Sequence, residues 1–291
     1  MTAIRRRAPD WLLNGYAALA MVYLLLPIAV IIVFSFNDPV GRFNFIWNEF
    51  SLDAWKHPFA VQGVQSALET SLKIAALSTL IATALGTLTA LALVRYEFKG
   101  RAPINFFIFI PLATPEVVLG AALLSQFLNW GTPALGFATI LIAHVMFNLS
   151  FVVITVRSRL IGFDRSLEEA AQDLGATPWE TFRLVTLPLI MPGVLSAALL
   201  AFALSIDDFV ITNFNSGSTI TFPLFIWGAA RVAVPPQIYV IATMIFLVTV
   251  VAMIATVWQQ RRAEKMAAVR PDEGELPPTL PGRPVAERAT A

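Results

Sequence analysis

Apolar residues in this chain fall in long blocks, not in alternating or one-sided helical patterns. A block of about 20 apolar residues crosses the hydrocarbon layer of a bilayer as one helix. Such blocks predict spans at about residues 11–36, 68–94, 104–129, 137–156, 189–212 and 238–258. Pro27 predicts a kink in the first, and Pro111 and Pro115 interrupt the third. Ala, Thr and Gly crowd the centre of the second, a composition that lets helices approach closely. The fold class read from this pattern is all-α: a polytopic membrane protein with six transmembrane helices.

One stretch breaks the pattern. Residues 166–188, SLEEAAQDLGATPWETFRLVTLP, are polar, carry both charge signs and lie between two apolar blocks. Ser166 with Glu169 reads as a capping box, in which the hydroxyl accepts a helix-start N–H and the carboxylate reaches back to the cap. Gly175 stands where a helix end favours positive φ. Thr177 then restarts a helix as N-cap, with Pro178 at the first helical position and Glu180 closing a second box. Pro188 reads as the limit of that second helix. The expectation is a rigid helix–turn–helix knob between two spans, a docking surface for a partner.

Composition and charge add a compartment and several exclusions. Hydrophobic residues make up 57% of the 291, the mean hydropathy is +0.72, and only 13% are charged, against about 25% in ordinary soluble domains. All of the 20 basic residues except Arg42, Lys56, Lys73 and Arg231 fall on one side of the six-span topology. The positive-inside rule then places both tails, the loop at 95–103 and the knob in the cytoplasm. The domain reading is a cytoplasmic tail at 1–10, a transmembrane domain at 11–262 and a disordered tail at 263–291. The first apolar run is read as a retained span, since no small-residue cleavage site follows it. With no Cys and only His57 and His144, neither a disulfide nor a metal site is expected. No G-x-x-x-x-G-K-[ST] run occurs, so the chain itself does not hydrolyse ATP. No catalytic constellation is visible, and neither a cofactor nor a nucleic-acid partner is expected. Arg261, Arg262 and Lys265 read as topological anchors that can meet lipid head groups.

The spacing within the knob carries a resemblance. Glu169-Ala170-Ala171, three residues, Gly175, nine residues, then Val185-Thr186-Leu187-Pro188 is similar to the EAA loop of binding-protein-dependent ABC importer permeases, with Val185 in place of Ile. The resemblance implies a type I ABC importer permease fold. It also implies a second permease subunit (a heterodimer), two cytosolic ABC ATPase subunits and an extracytoplasmic substrate-binding protein. Residues Glu169, Ala170, Ala171, Gly175, Leu187 and Pro188 would then couple the chain to its ATPase. A further likeness narrows the subfamily. Ser205-Ile206-Asp207-Asp208-Phe209-Val210 with Asn213-Phe214, Phe36-Asn37, Pro115-Glu116-Val117-Val118-Leu119-Gly120, Phe222-Pro223-Leu224 and Val234-Pro235-Pro236 resemble the spermidine/putrescine permeases. There Asp is frequent where Glu116 stands here. The resemblance covers roughly residues 11–262.

Charges inside the apolar blocks are the candidates for handling cargo. Glu116, Asp207 and Asp208 lie in or at the edge of spans, where a carboxylate costs roughly 2.5–3.5 kcal/mol at mid-depth. Such groups usually face a bundle interior or an aqueous cavity. A polyamine sheds water from its ammonium groups on crossing, and carboxylates and aromatic faces offset that loss. Phe209, Trp227 and Tyr239 are the aromatic candidates. Asp207 and Asp208 point about 100° apart on a helix, so one is expected to line the pathway and the other to cap, pack or pair. The structural alternative is bonding to backbone at the end of span five or, for Glu116, repair of the helix broken by Pro115. His144 with Asn148 one turn later reads as an inter-helix polar pair. Trp47, Trp55 and Trp130 read as interface anchors. Two other functions stay open: the same machinery carrying another cation (a metal ion, thiamine or an amino-acid derivative), and a secondary transporter or channel working without ATP.

Overall fold

The computed structural model describes residues 10–131, 134–162 and 164–268. The basic residues Arg5, Arg6 and Arg7 and residues 269–291 of the expected disordered tail lie outside them, while residues 263–268 of that expected tail are helical. Among the described residues, 77% are helical. In order, the elements are α1 (Asp10–Phe34), β1 (Asn37–Asp38), β2 (Glu49–Phe50), α2 (Asp53–Lys56), α3 (Val64–Arg95), α4 (Arg101–Ala113), α5 (Glu116–Asn129), α6 (Phe137–Ile161), α7 (Ser166–Asp173), α8 (Pro178–Thr181), a π-helical turn (Phe182–Thr186), α9 (Leu187–Asp207), α10 (Val210–Asn215), α11 (Phe222–Val232) and α12 (Pro236–Ala268).

Among the described residues, four helical stretches are long and apolar enough to cross a membrane: Trp11–Phe34, Val64–Arg95, Phe137–Ile161 and Pro178–Asp207. The third apolar block departs from a single span. It folds as α4 and α5, bent by 114° at Thr114 and Pro115. Pro115 forces the residue before it out of the helical region, and Thr114 is extended at φ −86°, ψ 130°. The hydroxyl and amide of Thr114 both return to the Ile110 carbonyl, at 2.7 and 2.9 Å, and so close the end of α4.

The chain divides into two units, one of the described residues up to Phe36 with those from Tyr239 onward, the other Asn37–Ile238. In the first, α1 continues through Pro27 and is almost wholly exposed along its apolar surface. In the second, α3, α6 and α9 form the core. Small residues set the approach of these helices: Ala82, Ala90, Ala197 and Ala201 are fully buried beside Val152, Val153 and Val156. A Cβ on Gly86 would fall 2.6 Å from a Val152 methyl, so the α3–α6 contact needs that glycine.

The polar loop after α1 is ordered by one side chain. Asn37 donates to Asn44 Oδ1 (2.6 Å) and to the Ile46 carbonyl (2.8 Å), and accepts from the Asn48 amide (2.8 Å). Backbone bonds from Asn44 to Val234 and from Val234 to Arg42 pin this loop to the segment before α12. The loop expected at 213–237 contains a helix of its own, α11.

Candidate functional site

The knob begins differently from the capping box expected at Ser166 and Glu169. Ser166 is already helical and its amide donates to Asp164 Oδ1 at 2.9 Å, so Asp164 supplies the anchoring oxygen. That bond holds the Asp164 carboxyl below its ordinary pKa. Glu169 is exposed. Its neighbour Glu168 turns inward, 8% exposed, and its Oε1 accepts from Arg95 at the end of α3 and from the Thr186 hydroxyl.

The turn that follows is a Schellman motif. Gly175 adopts φ +91°, the Gly175 amide donates to Gln172 O (2.8 Å), and the Ala176 amide donates to Ala171 O (3.0 Å). The second box forms: Glu180 N donates to Thr177 Oγ1 (3.3 Å), and Glu180 Oε2 accepts from the Thr177 amide (2.8 Å). Pro188 does not end the second helix. The segment runs from Pro178 through the π turn into α9 without a break. Proline lacks an N–H and its ring crowds the carbonyl four residues back. The wider π turn accommodates both, and the Leu187 amide reaches back to Phe182 O. Leu174 (90% exposed), Trp179 and Leu184 stand on the knob's surface.

The acidic residues occupy distinct settings. Asp207 closes α9 and is exposed, while Asp208 follows in extended backbone and opens α10. The Asp208 carboxylate accepts from the Ile211 amide (3.3 Å), the Thr212 amide (2.8 Å) and the Thr212 hydroxyl (2.7 Å), and lies 3.3 Å from His144 Nε2. Because Thr212 spends its one hydroxyl proton on Asp208, His144 Nε2 (2.9 Å from that oxygen) must carry a proton. His144 Nδ1 meets Ser205 Oγ at 2.7 Å, and Ser205 meets Ser78 Oγ at 2.9 Å. A hydrogen-bonded chain therefore runs from α3 through α9 and α6 to α10. Asn148 is not part of it. That residue is fully buried and neither end of its amide bonds within the described chain.

Glu116 opens α5 and is exposed. Gly120 lets α10 lie against α5, since a Cβ there would meet the Phe214 ring at 2.7 Å. This packing brings Asp207 within electrostatic reach of Glu116 as well as of its chain neighbour Asp208. The Phe209 ring lies 5.1 Å from Trp227, which is half exposed, and the Arg231 guanidinium sits 5.0 Å from the Trp227 ring centre. Tyr239 belongs to the other unit, where it tilts against Phe34 at 6.4 Å. Sequence reasoning missed Glu168, Arg95 and Thr186, whose pairing spans 73 and 18 residues of chain. It also missed Ser205 and Thr212, for which the only local signal was a hydroxyl one turn to either side of Asp208.

Comparison with known proteins places this arrangement. A family model described as binding-protein-dependent transport system inner membrane component matches residues 82–265. The chain is 37% identical over 244 residues to the spermidine/putrescine transport system permease protein PotC of Escherichia coli (strain K12), covering 84% of this chain and 91% of that protein. It is 39% identical over 255 residues to the putrescine transport system permease protein PotI of the same organism, covering 85% and 90%. Among solved structures it is similar to a bacterial alginate ABC transporter in complex with an alginate pentasaccharide-bound periplasmic protein. There the TM-score is 0.61 at 18% identity, covering 88% of this chain and 95% of that one, a likeness of fold alone.

Proposed function

The chain belongs to the binding-protein-dependent transport inner-membrane component family, and from that membership we propose that it is a permease subunit of an ATP-driven polyamine importer. Its identity to permeases named for spermidine and putrescine, over nearly their whole length, is the observation that carries the cargo. The six crossings are α1, α3, the bent pair α4–α5, α6, α8–α9 and α12, with both termini and the knob in the cytoplasm. A second permease subunit completes the pathway, two ATPases seat under the knobs, and a binding protein delivers cargo from outside.

The chemistry supports the reading. At the junction of α9 and α10, Asp207, Glu116 and the Phe209–Trp227 pair offer anionic and aromatic surface to a dehydrating ammonium group. An opposite charge 4 Å away is worth about 4 kcal/mol at an effective dielectric near 20, enough to offset much of that dehydration. Asp208 is committed to the backbone of α10 and to His144, so Asp207 is the acid placed to meet cargo.

The test is uptake of labelled putrescine and spermidine into proteoliposomes holding the permease pair, the ATPases and the binding protein. ATP-dependent uptake supports the proposal. Uptake that ignores ATP and follows an ion gradient overturns it.

A further inference from the structure

We propose that Arg95, Glu168 and Thr186 form a clasp that makes the knob helix α7 move as one body with the cytoplasmic ends of α3 and α9. The inference rests on the coupling role given to the knob above, and names the residues that transmit it. Every other acidic residue of α7 is exposed. Glu168 alone is buried, and a carboxylate is not kept from water without compensating partners. Both partners meet the same oxygen. Arg95 is the last residue of α3 and Thr186 the last of the π turn that leads into α9. One acceptor atom therefore joins three elements. Arg165, just before α7, adds a second tie by donating to the Val94 carbonyl at 3.3 Å.

The other end of the same helix pair is also pinned. Ser78 on α3 bonds Ser205 on α9, and Ser205 bonds His144 beside Asp208. Helices α3 and α9 are thus fastened to each other at the knob and again at the acidic site. Packed small residues fill the interval between them. A displacement of α7 reaches Asp207 and Asp208 without slack, provided the clasp holds. Glu169, on the exposed side of the same helix, is left for the ATPase.

The experiment is the ratio of ATP hydrolysed to putrescine imported by the complete transporter in proteoliposomes. We expect Glu168→Gln to raise the ratio about fivefold and Thr186→Val about twofold, with assembly unchanged. The exchange Arg95→Glu with Glu168→Arg should lower the ratio again, below that of Glu168→Gln. A wild-type ratio in assembled Glu168→Gln overturns the clasp. If that variant fails to assemble, Thr186→Val decides on the same criterion. A second readout is independent of cargo. The chain has no Cys, so spin labels at Glu97→Cys, two residues past the end of α3, and Gln172→Cys on α7 report the distance across the clasp cleanly. One narrow distance with and without nucleotide is expected, broadening when Glu168→Gln is added; equal widths overturn the inference. Absent ATP-driven putrescine uptake in the wild type overturns the cargo reading, and the label distances then still judge the clasp.

Discussion

His144 and Asp208 stand 3.3 Å apart, their side chains 3% and 6% exposed, and together they hold the start of α10 against α6. Asp208 accepts the hydrogen bonds of the amides of Ile211 and Thr212 at the start of α10, so its loss is expected to be felt in stability. Replacing it with Asn presents an NH2 group to donors and leaves at least one of them unmatched. We predict a loss of about 1–3 kcal/mol, read as a lower melting temperature of the detergent-solubilised complex. His144→Leu, which removes the same contact from the other side, should lower it in parallel.

Asp207 should behave in the opposite way. Its side chain is exposed, and the backbone group its carboxylate meets is its own. Asp207→Asn is expected to leave the melting temperature unchanged and to weaken polyamine uptake by about tenfold, the effect of losing roughly 1.4 kcal/mol of charge attraction. Unaltered uptake kinetics would remove Asp207 from the pathway.

The turn at Gly175 offers a graded test. A Cβ there meets nothing within 4 Å, so space is not the constraint; φ of +91° is. Gly175→Ala should cost about 1 kcal/mol through backbone strain alone. Gly175→Pro cannot adopt that φ and also loses the N–H bonded to Gln172 O. It should abolish ATP-coupled uptake while the protein still reaches the membrane, checked by comparing transport with the amount in the membrane fraction.

What the sequence disclosed followed the range of the interaction. The Thr177–Glu180 box and the glycine turn are settled within a few residues, and both could be read from spacing. The two acids were expected to diverge as neighbours on one helix, but Asp208 lies past the end of α9 in extended backbone, so the helix break separates them. The Ser166–Glu169 box satisfied the same spacing rule but lost to Asp164, which reaches the Ser166 amide from outside the pattern. Glu168 was illegible because its partners lie 73 and 18 residues away, and no local rule separates it from Glu169. Pro188 read as a stop because proline disfavours an α-helix, and the rule does not foresee a π turn that removes the clash. The bend at Pro115 was foreseen as an interruption, but its 114° angle depends on how α5 packs against α10 through Gly120.

The π turn at Phe182–Thr186 makes residue number, and not only residue type, a constraint on this segment. A π turn holds one residue more than the α turn it replaces. Deleting one of the five lets the turn close up as an α turn of nearly the same rotation, so what precedes it keeps its bearing about the α9 axis, but Pro188 loses the room that the wider turn provides. The Pro188 ring would then crowd the carbonyl four residues back and kink the helix, so Trp179 and its neighbours would keep their chemistry and tilt off the α9 line. Deletion of Leu184 should therefore weaken ATP-driven uptake through that kink, where Leu184→Ala, exposed and keeping the five-residue turn, retains most of it.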